Sequence, residues 1–323
     1  MTAAVQFSPL PQWPDYGLTD DLLPALERWA SAGKRAALAT LVQIDGSSPR
    51  PLGSEMAICE DGDVQGYVSG GCVEAAVRTE ALDSLRDGQP RMLDYGAGSP
   101  VLDIQLTCGG RIGIFVRPLP DLAAHVTTLQ TARTRRHAIT LITDLQTGDM
   151  KFQNGAIPTP SDPSVFCRHY LPPIRLILCG GDPVTLATLS LATSMGLETF
   201  LLRPGGPHDP PSGLPPERYI RGNLDTALTK LRLDRWTAVY SLTHDAAQDL
   251  ALAAHALHSE AFCVSILGSR RKIPDRIEAL QAGGISTEEL TRLHLPAGLD
   301  INARSPMEIA LSILAQITAT RPR

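Results

Sequence analysis

The strongest constraint on the fold lies in the second half of the chain, where short apolar runs alternate with helix-like segments from Ile174 onward. Residues 174–179 form an aliphatic run that stops at Gly180 and Gly181, and residues 183–195 then read as a helix. Residues 198–202 read as a second strand, followed by a Pro- and Gly-rich loop over 204–216. Further strands are expected at 238–242 and 262–267, with helices at 246–258 and 270–282. Strands joined through helices must run parallel, because a parallel pair needs a long crossover. The pattern therefore predicts a doubly wound parallel sheet. Ser305, Pro306 and Glu308 make a capping box with proline at the first helical position, so a last helix begins there.

The first half reads differently, as a small α+β domain. Residues 22–32 have helical spacing, and 36–44 read as a buried strand. The segment 46–53, with Gly46, Ser47, Ser48, Pro49, Arg50, Pro51 and Gly53, is a loop by composition. Residues 55–59 and 64–68 flank Asp61 and Gly62, a hairpin signal. Ser69, Gly70 and Gly71 introduce a helix over 72–85. Residues 101–107 alternate as a half-buried strand, and Gly109 and Gly110 turn it into a second strand at 111–116. Residues 121–149 read as a helix followed by a strand. The stretch 153–173, rich in Pro, Ser, Asn and Asp, reads as a linker. The expected domains are thus 1–152 and 174–323.

Composition narrows the function. A net charge of -5 argues against a nucleic-acid partner, whose usual footprint is a basic face. The first twenty residues lack the basic and apolar regions of a signal peptide. No apolar run reaches the roughly 20 residues of a spanning helix, so a cytoplasmic protein without a membrane partner is expected. The six cysteines show no C-x-x-C spacing and are expected as reduced thiols.

Several segments could carry chemistry. Ser69, Gly70, Gly71, Cys72, Val73 and Glu74 form a tight strand-to-helix turn that places Cys72 in the first turn of a helix. Helix amides there favour a thiolate, and a soft thiolate suits molybdenum or a sulfur-transfer step. The alternative is a buried small hydrophobe. Cys108 borders Gly109 and Gly110, where backbone lies open to a ligand, or packs inward. Cys59, Cys179 and Cys263 sit in strands and read as core. Ser48 and Arg50 offer a hydroxyl and a cation to an anionic group, or belong to a proline-stiffened surface loop.

In the second half, Gly180 and Gly181 only partly match a dinucleotide fingerprint, since Asp182 and Thr185 stand where glycine is wanted. The acid expected at the end of the second strand is replaced by Arg203. Thr243, His244 and Asp245 end one strand at the ligand-binding edge, with Asp245 a helix N-cap and His244 toward the crevice. Gly268, Ser269, Arg270, Arg271 and Lys272 follow the next strand and suit a phosphate, or form a capped helix with a solvated basic end.

Taken in order, these motifs resemble the XdhC/CoxI family, the accessory proteins of xanthine and carbon monoxide dehydrogenases. The matching residues are 46–53, 69–76, 108–110, 242–245, 267–272, 296–301 and 305–310, so the resemblance covers nearly the whole chain. It implies a small N-terminal domain followed by a Rossmann-like domain. It also implies a chaperone that binds molybdenum cofactor (molybdopterin), protects it while it gains its terminal sulfur, and delivers it to an apo molybdenum hydroxylase of the xanthine dehydrogenase type. A cysteine desulfurase as a further partner, and a homodimer, fit the same picture.

Carried over, Cys72 and Cys108 become the metal or sulfur contacts. Ser48, Arg50, Gly70, Gly71, Glu74, Gly109, Gly180, Gly181, His244, Gly268, Ser269 and Arg270 become candidate cofactor contacts. Family members carry Gly-x-Gly-His after the first Rossmann strand and Asp after the second. Here Gly180, Gly181, Asp182 and Pro183 occupy the first place and Arg203 the second. The alternatives are an NAD(P)-dependent oxidoreductase and a cysteine-based sulfur relay.

Overall fold

The computed structural model describes residues 20–99, 106, 109–158 and 160–322. It divides into two compact units, 1–172 and 173–323.

The first unit is built on a five-stranded antiparallel sheet in the order β3-β2-β1-β5-β4. Its strands are β1 (Ala36–Asp45), β2 (Glu55–Cys59), β3 (Val64–Gly66), β4 (Arg91–Gly96) and β5 (Arg111–Pro118). Residues 36–41 of β1 are all buried, because both faces of the sheet are covered. On one face lies α2 (Glu74–Asp87), whose Val77, Ala81 and Leu85 pack on Ala37, Ala39, Leu41 and Ile114. On the other lie α1 (Leu23–Ser31) and α3 (Leu122–Arg135), whose Leu26, Trp29, Val126 and Leu129 pack around Ala36 and Leu38. Helix α2 stops at Gly88, which takes the left-handed conformation that glycine accepts without strain.

A second sheet in this unit has the order β7-β6-β8, with β6 (Ile139–Asp144), β7 (Met150–Asn154) and β8 (Val165–Tyr170), all antiparallel. This corrects the reading of 153–173 as a linker. Its polar composition hides β8, whose residues pair with β6, and the division of the chain falls after Pro172. The strand expected at 101–107 and Cys108 lie outside the described residues, apart from the buried Leu106. Strand β4 was not expected from the sequence. Only Tyr95 of its side chains is buried among the apolar ones, so its pattern is too short to stand out.

The second unit is the doubly wound parallel sheet expected. Its strands are β9 (Arg175–Cys179), β10 (Glu198–Leu202), β11 (Tyr219–Ile220), β12 (Thr237–Ser241), β13 (Cys263–Ile266) and β14 (Leu293–His294). Their order, β11-β10-β9-β12-β13-β14, is the 3-2-1-4-5-6 order of a Rossmann fold, with the reversal between β9 and β12.

One face carries α4 (Pro183–Ser194) and α9 (Pro306–Thr320), which bury Val184, Leu189, Ile313 and Ile317. The other carries α5 (Leu224–Lys230), α6 (Ala246–Leu257) and α7 (Ile273–Ala282), which bury Leu228, Leu252, Leu257 and Leu280. The short α8 (Thr287–Leu290) precedes β14. The capping box at Ser305 and Glu308 is formed. Cys59, Cys179 and Cys263 are core residues, and burial pushes the Cys179 thiol up to about 12. Among the described residues, no helix is long and apolar enough to cross a membrane.

Candidate functional site

In the first unit, three of the segments singled out above meet at one end of the five-stranded sheet. The first is the turn from β3 into α2. Glu74 opens α2 on the buried side of the helix, three residues before Val77, and is 4% exposed. Its carboxylate turns back into the loop. One oxygen accepts the Ser69 N–H at 2.7 Å and the Val68 N–H at 3.2 Å, and the other accepts the Ser69 hydroxyl at 2.7 Å and the Val73 N–H at 3.2 Å. The Ser69 hydroxyl also accepts the Gly71 N–H at 3.3 Å. Gly71 has φ 102, a conformation open to glycine and costly for other residues. Behind this ring Val73 is fully buried, and Cys72 stands exposed on its outer side.

Glu74, grouped by its motif with the candidate cofactor contacts, thus turns its carboxylate into its own loop. A helix-start carboxylate whose lone pairs are filled by its own loop has none left to offer.

The second segment is the loop between β1 and β2. A Cβ at Gly70 would lie 3.6 Å from Pro49 Cγ, so the two loops touch. Ser48 spends its hydroxyl on its own loop, donating to the Arg50 carbonyl at 2.9 Å and accepting the Arg50 N–H at 3.2 Å. Arg50 stacks on the Tyr67 ring at 4.1 Å, donates to the Tyr67 hydroxyl at 3.1 Å, and pairs with Asp20 at 2.5 Å. Its Nε is buried and has no hydrogen-bond partner. Arg50 is thus held in place as a cation by Tyr67 and Asp20.

The third segment is the Gly109 and Gly110 turn into β5. A Cβ at Gly110 would come within 2.0 Å of the Ser47 carbonyl oxygen, so only glycine lets these backbones pass. Gly109 has φ 70 and open space beside it.

In the second unit, the candidate residues gather at the carboxyl end of the parallel sheet. Gly180 follows β9 with φ 155, and a Cβ there would lie 2.4 Å from Thr185 Oγ1 and 3.0 Å from the Leu242 carbonyl oxygen. Asp182 caps α4, accepting the Thr185 N–H at 2.8 Å and the Thr185 hydroxyl at 2.6 Å. Its other oxygen lies 3.9 Å from His244 Nε2, across the switch between β9 and β12. A Cβ at Gly181 would lie 2.3 Å from Arg203 Nε, so the Arg203 side chain covers the glycine turn.

Those two side chains occupy the place a dinucleotide phosphate would take. A pyrophosphate would use the N-terminus of α4 and pass close over the glycines. Here a carboxylate holds the first position and a guanidinium the second.

Asp245 caps α6 as expected. The loop after β13 is less suited to an anion than its composition promised. Ser269 caps only a single 3-10 turn over Arg270–Lys272, and Arg270 pairs with Asp300 on the surface at 2.5 Å. Two residues that the sequence reading missed tie this loop to the one after β12. Asp249, 1% exposed on α6, accepts from the Ser241 and Thr243 hydroxyls, each at 2.7 Å. It pairs with Arg276 at 3.2 Å, and Arg276 donates to the Leu267 carbonyl at 3.1 Å beneath Gly268. A signal was present: Asp249 lies on the same helix face as the apolar Leu252, Ala253 and Ala256, where a carboxylate needs a partner.

Comparison with known proteins settles the family. Residues 29–96 match the XdhC and CoxI family, and residues 176–317 match the XdhC Rossmann domain. The molybdenum cofactor insertion chaperone PaoD of Escherichia coli (strain K12) is 33% identical over 308 residues, covering 94% of this chain and 90% of that protein. The chain belongs to the XdhC and CoxI family. A second relative, a probable xanthine dehydrogenase subunit of Bacillus subtilis (strain 168), is 25% identical over 328 residues, covering 90% of this chain and 94% of that one. The crystal structure of a xanthine dehydrogenase from Bacillus halodurans shares the fold, with a TM-score of 0.75, 24% identity and coverage of 92% of this chain and 95% of that one. Within this family frame, the matched stretch 29–96 contains both the 46–53 loop and the Cys72 turn. The matched stretch 176–317 contains the whole switch-point edge.

Proposed function

We propose that this protein is a molybdenum cofactor chaperone that holds the cofactor, shields it while it gains its terminal sulfur, and hands it to an apo molybdenum hydroxylase of the xanthine dehydrogenase type. The observation that carries the reading is the exposed Cys72, raised on a tied glycine loop where the 46–53 loop and the Gly109–Gly110 turn converge. The likeness to a chaperone of that name along 94% of the chain supports it.

The residues present fit such a cargo. A thiolate is a soft ligand of the kind molybdenum and sulfur-rich centres take. Glycine backbone beside it allows close approach of a flat, bulky group. Arg50, stacked and partly buried, offers a charge-assisted bond to an anionic group on the cargo. Cys72 is the contact we assign to the metal or its sulfur, with Cys108 as its partner beside Gly109. Ser48 shapes the loop, and Gly70, Gly71 and Gly109 supply open backbone. A cysteine desulfurase would supply the sulfur, and the work would be done in the cytoplasm.

NAD(P) has no part in this reading. In the second unit, His244, Gly268 and Ser269 form an edge for contact with the client. The test is to incubate purified protein with isolated molybdenum cofactor, remove excess by gel filtration, and measure bound molybdenum and pterin. Wild type should retain both, Cys72→Ser should lose them, and only wild type should restore activity to an apo-hydroxylase. Failure of wild type to retain pterin would sink the proposal.

A further inference from the structure

We propose that Glu74 and Ser69 are positioning residues for Cys72: a buried carboxylate–hydroxyl clamp that fixes the thiol in one place instead of touching the cargo. The inference rests on the reading that Cys72 is the cargo contact, and it assigns Glu74 a role different from the one its motif suggests.

Helix α2 turns Val77, Ala81 and Leu85 into the core, and Glu74 lies on the same face. An apolar side chain there would continue the stripe. A carboxylate in that position is costly to desolvate unless its lone pairs are filled. Here they are filled by one loop alone, through the Val68, Ser69 and Val73 N–H groups and the Ser69 hydroxyl. The neighbouring cap position, Val73, contributes no side-chain cap of its own. Glu74 therefore closes the start of the helix and the loop before it in one step.

The consequence is a ring. Ser69 receives the Gly71 N–H at 3.3 Å while donating to Glu74 at 2.7 Å, so the chain from Ser69 to Glu74 is cross-linked at both ends and in the middle. Gly71 turns the backbone outward with φ 102, and Val73 anchors it inward with no exposed surface. Cys72, between them, has little backbone freedom left. A thiol that must meet a bound group within a fraction of an ångström gains from such preorganisation, because the entropy of ordering it is spent in folding.

A helix cap alone would predict lost stability and nothing more. The clamp predicts a local change at Cys72, and the experiment separates the two. Full-length wild type, Glu74→Gln, Ser69→Ala and Val77→Ala are compared. Val77→Ala weakens the same helix from the core without touching the ring. Two rates are read below the unfolding transition: amide hydrogen exchange at residues 68–73, and alkylation of Cys72 by iodoacetamide, followed on the Cys72 peptide by mass spectrometry.

Glu74→Gln must turn an amide NH₂ toward at least one of these donors. Exchange at Val68, Ser69 and Val73 and alkylation of Cys72 should each rise about tenfold, the ratio carried by one lost hydrogen bond to a charged group. Ser69→Ala should move both rates the same way by a smaller factor, and Val77→Ala should move neither. Should Glu74→Gln fail to fold, Ser69→Ala decides alone. Rates in the ring variants within about twofold of those in Val77→Ala, a ratio below about 0.5 kcal/mol, overturn the clamp. Neither rate uses the cofactor, so a wild type that binds no cofactor ends the chaperone reading and leaves this result standing.

Discussion

His244 Nε2 lies 3.9 Å from Asp182 Oδ2, across the point where the parallel sheet reverses its strand order. In a Rossmann fold this is the crevice where a dinucleotide lies. Here charged side chains of the protein stand at that place. Asp182 spends one oxygen on capping α4 and turns the other to His244, while Arg203 covers Gly181. The parallel-sheet architecture is thus retained, with a carboxylate and a guanidinium at its glycine turn.

Titration with NADH and with NADPH should therefore give no binding heat up to millimolar ligand. The Asp182 carboxylate repels a pyrophosphate, and Arg203 occludes its path. Saturable heat from either nucleotide would show that Arg203 moves aside. The Asp182→Ala variant should lose about 1 kcal/mol of stability, the worth of an N-cap. Urea unfolding of that variant checks the cap independently of any ligand.

The Asp249–Arg276 pair gives a second test. Both side chains are nearly buried, and they join the loops after β12 and β13. Removing one partner leaves the other charge uncompensated, so Arg276→Met should cost about 3 kcal/mol. Asp249→Asn keeps acceptor capacity for the Ser241 and Thr243 hydroxyls while removing the charge. The double variant Asp249→Asn with Arg276→Met should therefore be less destabilised than the sum of the singles. Chemical denaturation of the four proteins measures that coupling, and simple additivity would mean the ion pair does not operate.

Much of the fold was legible because it rests on repeated local patterns. The runs ending at Cys179, Ser241 and Ile266 are largely apolar and each is followed by a turn and a helix start, so the parallel sheet could be read directly. Strand β8 could not. Its residues Arg168, His169 and Tyr170 are polar or amphipathic, because that strand closes over Glu55, to which Tyr170 donates at 2.8 Å. The cysteine loop was legible by its glycines, but the direction of Glu74 was not. Read as a motif, it belonged with the ligand contacts. Read as a position on a helix three residues before Val77, it belonged with the core, and that was the stronger signal.

Gly109 and Gly110 stand side by side and should respond differently. A Cβ at Gly110 would lie 2.0 Å from the Ser47 carbonyl oxygen, so Gly110→Ala must push the 46–53 loop away from β5. The cost should be about 1–3 kcal/mol, as for other forced overpacking. Gly109 has open space, and Gly109→Ala pays only for its left-handed backbone, about 1 kcal/mol. Thermal unfolding ranks the two. Cofactor retention should fall in both, in Gly110→Ala because the 46–53 loop is displaced and in Gly109→Ala because a methyl enters open backbone assigned to the cargo. Unchanged retention in Gly109→Ala would mean that Gly109 does not lie against the cargo.

His125 gives the first unit a pH dependence of defined sign. It is 3% exposed on α3 beside Phe152, and neither ring nitrogen has a hydrogen-bond partner. Burial, with the nearby Arg117 guanidinium adding to it, lowers its pKa from 6.5 to about 4. The unfolded chain therefore takes up a proton as pH falls below 6.5, while the folded protein does not until about 4. Stability contributed at neutral pH is lost across that window, by about 2 kcal/mol at pH 5 relative to pH 7.5. His125→Phe keeps the ring and removes the titration, so it should unfold at higher denaturant than wild type at pH 5 while differing less at pH 7.5. Parallel slopes of stability against pH in the two proteins would show that His125 is protonated, or reaches water, in the folded state.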